Sequence, residues 1–112
     1  MSASAKSNEQ FVREQRRHLR KRMSRSIEFA IAGRARTFGV CLNLGLGGMQ
    51  IDTAEPGEFG DRITVYLDLE GLDGETALPG IVRWSKPGVM GVQFDSHGVR
   101  VTYALLRLLA GP

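Results

Sequence analysis

The chain has 112 residues, 42% of them hydrophobic, which fits one small domain with a modest core. It holds no run of about 18 apolar residues, and its polar start MSASAKSNEQ lacks the apolar centre of a secretory signal. A membrane span and secretion are thus argued against, and a cytoplasmic location is expected. The single Cys41 can form no internal disulfide and is expected to be a buried thiol in a reducing compartment.

The net charge of +3 divides unevenly. Residues 1–36 hold ten bases against three acids, a net +7, whereas residues 37–112 hold five bases against nine acids, a net −4. A basic arm on a near-neutral or acidic body calls for an anionic partner: nucleic acid, a phospholipid headgroup or a phosphorylated small molecule.

In chain order, residues 1–12 are expected to be disordered, and a basic arm runs over 13–25. SIEFAI then alternates Ile27, Phe29 and Ile31 on one face, and Ala32–Gly33 turns the chain into RARTFGVCL, where Phe38, Val40 and Leu42 share a face. NLGLGG follows as a turn, and GMQID resumes the alternation with Met49 and Ile51. The loop TAEPGEFG leads to DRITVYLDL, which sets Ile63, Val65, Leu67 and Leu69 against Thr64, Tyr66 and Asp68. TALPGIVRW and GVMGVQF form a last pair across SKP; Pro79 predicts a bulge or an edge position there. The period then changes, and Val101, Leu105, Leu108 and Leu109 predict an amphipathic helix over 97–110 that caps the sheet. The expected fold is all-β with one helix: a six-stranded antiparallel barrel over 26–95 with a C-terminal helix.

Enzyme chemistry finds little footing. His18 lies in the arm and His97 at the helix start, neither with a Cys, Ser or carboxylate partner at motif spacing, and one Cys with two His assembles no zinc pattern. Asp61, Asp68, Glu70, Asp73 and Glu75 fall in turns or on an exposed strand face. NLGLGG is no dinucleotide fingerprint, because Gln50 stands where the third glycine belongs and a strand follows; the Walker GK[ST] is absent as well. Neither catalysis nor a metal or cofactor is expected.

As a glycine-rich turn, NLGLGG reads equally as a plain hairpin or as a place where a flat ligand approaches backbone beside the Asn43 amide. In the arm, arginines recur at a spacing of four, Arg16 with Arg20 and Arg13 with Arg17. Guanidinium groups at that spacing can fork onto guanine O6 and N7, stack on a base or clasp a phosphate. An RxxxR alone equally suits a solvated charge run.

Together, RRHLR at 16–20, NLGLGG at 43–48, VRW and GVQF closely resemble the PilZ domain, the bacterial receptor module for cyclic di-GMP. The resemblance runs from about residue 13 to 109 and implies a stand-alone domain over 13–112. It implies a ligand site made of Arg16, Arg17 and Arg20 from the arm, Asn43 contacting guanine, Gly45, and Gly48 leaving space for the ligand. Gly45 stands where the family usually has Ser, so one hydroxyl is missing. Arg22, Arg83 and Trp84 are possible auxiliaries. For Trp84, core packing or a barrel-end cap is preferred to stacking on a guanine, and which way Arg83 faces depends on where the strand bulges.

Given that ligand, charge and order predict that the cyclic di-GMP dianion neutralises Arg16, Arg17 and Arg20 and pins the arm across the barrel, with output expected to pass through a downstream protein partner. Two alternatives are a nucleotide-independent PilZ adaptor, which Gly45 favours, and a small basic nucleic-acid-binding barrel. Nucleic acid is argued against because stacking platforms need exposed aromatics, and most of Trp84, Tyr66, Tyr103 and the five Phe lie at core-facing or helical positions.

Overall fold

The computed structural model describes residues 20–111. Six strands, β1 (Arg20–Ile31), β2 (Thr37–Gly45), β3 (Gly48–Asp52), β4 (Arg62–Asp68), β5 (Glu75–Lys86) and β6 (Val89–Phe94), are followed by one helix, α1 (Val99–Ala110). All strand pairs are antiparallel, and the sheet closes on itself in the order β1-β2-β3-β6-β5-β4. The barrel interior receives the alternating apolar side chains: Ile27, Phe29 and Ile31 from β1, Met49 and Ile51 from β3, Ile63, Val65 and Leu67 from β4, and Met90, Val92 and Phe94 from β6. Each such buried side chain contributes roughly 1.5–3 kcal/mol of transfer free energy, which explains why period-two segments pair into this closed sheet.

Helix α1 lays Ala104 and Leu105 onto the core, with Val101, Leu108 and Leu109 packed beside them. Its C-terminal carbonyls are met from the barrel side, since Lys21 Nζ donates to Leu108 O and Gly111 O, each at 3.4 Å. A cation there also complements the negative end of the helix dipole.

Several expectations are corrected. The segment 20–25 is not arm but the first half of β1, paired with Gly45 through Cys41 of β2; the helix begins at Val99 and not at 97. In β2, Cys41 (1% exposed) and Leu44 (1%) point inward, while Phe38 (72%) points out. The inward position next to Phe38 is Gly39, where an added Cβ would lie 2.7 Å from Ile51 Cγ2 and 3.1 Å from Phe29 Cε1. Two large neighbours fill that space, so the apolar pattern gives no sign of the inward face. Pro79 holds the expected edge position: it pairs with Thr64 of β4, but the pairing with β6 begins only at Gly80, so its missing N–H interrupts no ladder; the bulge lies elsewhere, where β5 shifts register between Val82 and Trp84. That shift brings Trp84 to the barrel exterior, 39% exposed, and not into the core.

Candidate functional site

The outer face of the barrel carries a continuous cross-strand row that the register alone defines. Arg22 of β1 sits opposite Asn43 of β2, Asn43 opposite Gln50 of β3, Gln50 opposite Gly91 of β6, and Gly91 opposite Trp84 of β5. Directly opposed residues on one face lie close enough for side chains to act together. A second row runs beside it, Arg20–Gly45–Gly48–Gln93. Between them lies a groove of about 330 Å³ lined by Arg20, Asn43, Gln50, Arg83, Trp84 and Gln93, with Gly47, Gly48, Met49, Gly91 and Val92 completing it.

Arg20 and Asn43, 23 residues apart in sequence, meet at one end: Arg20 Nε donates to Asn43 Oδ1 at 2.6 Å. The acceptor side of the amide is thereby fixed, leaving the Asn43 NH₂ and the terminal nitrogens of Arg20 as donors at this end of the groove. Strand alternation sends neighbouring cations elsewhere. Lys21 turns to the helix end, and Arg25 Nη2 donates to Asp68 O at 2.8 Å, outside the groove. Arg22 and Arg83 are exposed and make no ion pair with a described residue. No acidic side chain lines the groove, so its field is positive and suits an anion.

The opposite end is a flat aromatic shelf. An added Cβ at Gly91 would lie 2.1 Å from Trp84 Nε1 and 2.3 Å from Cε2. Only a residue without a side chain lets the indole lie down on β6, where it stays partly exposed with Lys86 Nζ over the ring, 5.8 Å from its centroid. Gly48 has a related role in the sheet: an added Cβ there would meet Val92 O at 2.0 Å. Gly48 is thus required by the close approach of β3 and β6 whether or not a ligand is bound. Gly45 is buried at the end of β2 and lies outside the positive-φ region.

The turn beside the groove, Leu46–Gly47, is held from two sides. His97 Nε2 lies 2.9 Å from Leu46 O and its Nδ1 2.8 Å from Thr102 Oγ1, while Phe94 N donates to Gly47 O at 2.8 Å. A carbonyl can only accept, so Nε2 carries the proton toward Leu46. His97 therefore ties the turn to the first turn of α1.

Of the residues singled out from the sequence, the structure brings together Arg20, Asn43, Gly48, Arg83 and Trp84 around one groove, with Arg22 and Gly45 in its two rows. Arg16 and Arg17 lie outside the described residues. Gln50, Gly91, Gln93 and the His97 clasp were missed. Counting the register outward from Asn43 would have found the first two; the His97 contact spans 51 residues and left no local signal. Among the described residues no group of three or more His, Cys, Asp or Glu converges as a metal site, and no helix is long and apolar enough to cross a membrane.

Comparison with known proteins bears on the family and the fold. The family model described as PilZ domain matches residues 14–111. Among solved structures, the PilZ domain of CeSA from a cellulose-synthesizing bacterium superposes with a TM-score of 0.65 at 20% identity, over 80% of this chain and 93% of that one. The Bacillus subtilis inhibitor of motility MotI/DgrA superposes at 0.63 and 14% identity, over 80% of this chain and 47% of that one. The Borreliella burgdorferi PlzA protein, solved in complex with c-di-GMP, superposes at 0.62 and 15% identity, over 86% of this chain and 41% of that one. The chain thus spans less than half the length of the last two. No curated protein matches it.

Proposed function

The chain belongs to the PilZ domain family, and from that premise we propose that its groove binds cyclic di-GMP and that binding is relayed to a protein partner. The observation that carries the proposal is the 2.6 Å contact between Arg20 and Asn43. It unites the last arginine of the RxxxR arm with the amide of the turn motif, in a groove without a single carboxylate. Asn43 NH₂ donates to the acceptor edge of a guanine, and Arg20 supplies a fork for the same edge or for a phosphate. Trp84 offers the second contact, a partly exposed indole from which the Lys86 ammonium moves to a phosphate as a base stacks, an interaction worth about 1–3 kcal/mol in other base-binding proteins. Arg83 and Arg22 flank the path of the phosphates, and Arg16 and Arg17 reach the ligand from the segment before β1. Closing that segment over a dianion neutralises its clustered charge and presents a new surface to a partner. The buried single thiol is in keeping with a reducing compartment such as the cytoplasm.

Calorimetric titration of cyclic di-GMP into the wild type, an Arg16→Ala/Arg20→Ala double variant and Asn43→Ala tests the reading, and Trp84 is the only tryptophan, so its fluorescence reports on the shelf directly. Saturable binding that both variants weaken, with a change in Trp84 emission, is the expected result. Absence of heat and emission change in the wild type at high micromolar ligand sinks it. One observation favours a second reading, a nucleotide-independent adaptor: Gly45 removes a hydroxyl from the turn. That reading expects a melting temperature unmoved by cyclic di-GMP.

A further inference from the structure

Helix α1 is apolar on two opposite faces. Val101, Ala104, Leu105, Leu108 and Leu109 address the barrel. Val99, Tyr103, Leu106 and Ala110, separated by four, three and four residues, form one stripe on the side away from it. This stripe is open to solvent, with Val99 85%, Tyr103 64% and Leu106 36% exposed. A surface helix ordinarily turns charged residues outward, and a helix apolar on all sides is a buried one. Here the polar side chains apart from Tyr103 are Arg100, Thr102 and Arg107, and Thr102 is engaged by His97. A recess of about 350 Å³ beside Val99 and Tyr103, lined also by Leu72, extends the apolar surface toward the β4–β5 turn.

The charge carried by α1 itself is one-sided, and the one acid in the neighbouring recess, Glu70, is taken up by Arg107. Arg100 and Arg107, seven residues apart, lie on one flank, and α1 contains no acid. Arg107 donates to Glu70 Oε1 at 3.0 Å, whereas Arg100 is exposed and makes no ion pair with a described residue. We propose that the Val99–Tyr103–Leu106 stripe docks an amphipathic helix of another protein, one whose acidic flank meets Arg100. A second copy fits poorly, because a two-fold pairing of antiparallel helices sets like flank against like flank and arginine against arginine. The chain's own residues 1–19 carry four bases and two acids, again the wrong sign. Tyr103 sits mid-stripe, where an aromatic anchor contributes most.

This surface supplies the partner contact that the receptor reading requires and rests on that reading only for the identity of the signal. Its test needs no nucleotide, so the two fail separately. Two synthetic helical peptides with the same leucine stripe, one flanked by glutamates and one by lysines, are titrated into the full chain and followed by amide NMR shifts. The glutamate peptide is expected to shift Val99, Tyr103 and Leu106 and to bind at least about tenfold more tightly than the lysine peptide. Tyr103→Ala weakens it by about tenfold, and Arg100→Glu reverses the preference between the peptides. Each altered side chain is exposed, and a retained amide spectrum verifies the fold. The proposal is overturned if neither peptide shifts this face, if Arg100→Glu leaves the preference unchanged, or if the wild type self-associates through the stripe in a manner that Tyr103→Ala abolishes.

Discussion

Arg20 Nε and Asn43 Oδ1 lie 2.6 Å apart on the outer face of the barrel, where the start of β1 meets the end of β2. The contact is solvent-exposed, and exposed polar pairs contribute little to stability. If the groove binds cyclic di-GMP as proposed, the value of the contact lies in preorganisation, because two binding groups are held in one geometry beforehand.

Asn43→Ala should therefore separate stability from binding. The melting temperature is expected to stay near that of the wild type, while cyclic di-GMP affinity falls by up to about tenfold, as the loss of a neutral hydrogen bond of about 0.5–1.5 kcal/mol implies. Thermal denaturation and calorimetry on the same samples check both halves.

Gly48→Ala should do the reverse. The added methyl would come 2.0 Å from Val92 O, and a backbone carbonyl in a paired strand cannot move aside as a flexible side-chain end does. Overpacking of this kind costs typically about 1–3 kcal/mol, to be read from the urea midpoint without ligand. If stability is unchanged and only nucleotide binding is lost, Gly48 serves ligand clearance and not strand approach.

Gly45→Ser restores the hydroxyl usual in the family at a position whose φ is not positive, so the backbone accepts a side chain there. One additional hydrogen bond contributes about 0.5–1.5 kcal/mol, and affinity for cyclic di-GMP should rise by up to about tenfold. Unchanged or weaker binding in a folded variant would show that the ligand does not reach this end of β2.

His97→Ala removes the clasp on Leu46 and Thr102. Loss of two hydrogen bonds with a partly buried carbonyl left unmatched should cost about 1–3 kcal/mol, and amide exchange should speed up first at the 46–47 turn and the start of α1. Uniform acceleration across the barrel would mean that the clasp is not local.

Burial holds the Cys41 thiol above its ordinary value. The folded chain thus keeps this proton more tightly than the unfolded chain does. The associated stability is complete below the unfolded thiol pKa of about 8.5 and is lost as pH rises through the folded value. Urea unfolding above pH about 8.5 should lose stability faster in the wild type than in Cys41→Ala, and thiol reagents should label the native protein only through unfolding.

The sequence by itself determined the six strands, the terminal helix and the two halves of a ligand motif. Period-two alternation in β1, β3 and β4 and helical spacing at Leu105, Leu108 and Leu109 are local consequences of which faces must be buried. It misread β2, because the inward position beside Phe38 is a glycine whose space Phe29 and Ile51 already fill, and of the bulge or edge position offered at Pro79 only the edge holds, the register shift of β5 lying at Val82/Trp84. Only the tertiary structure decided that Trp84 lies on Gly91 at the rim of the groove, that Lys21 serves the helix end while Arg20 serves the groove, and that His97 reaches Leu46. Each of these depends on strand register and barrel closure, which join residues tens of positions apart and set the face on which a side chain emerges. Hydropathy along the chain records burial; it carries no record of which strand lies alongside.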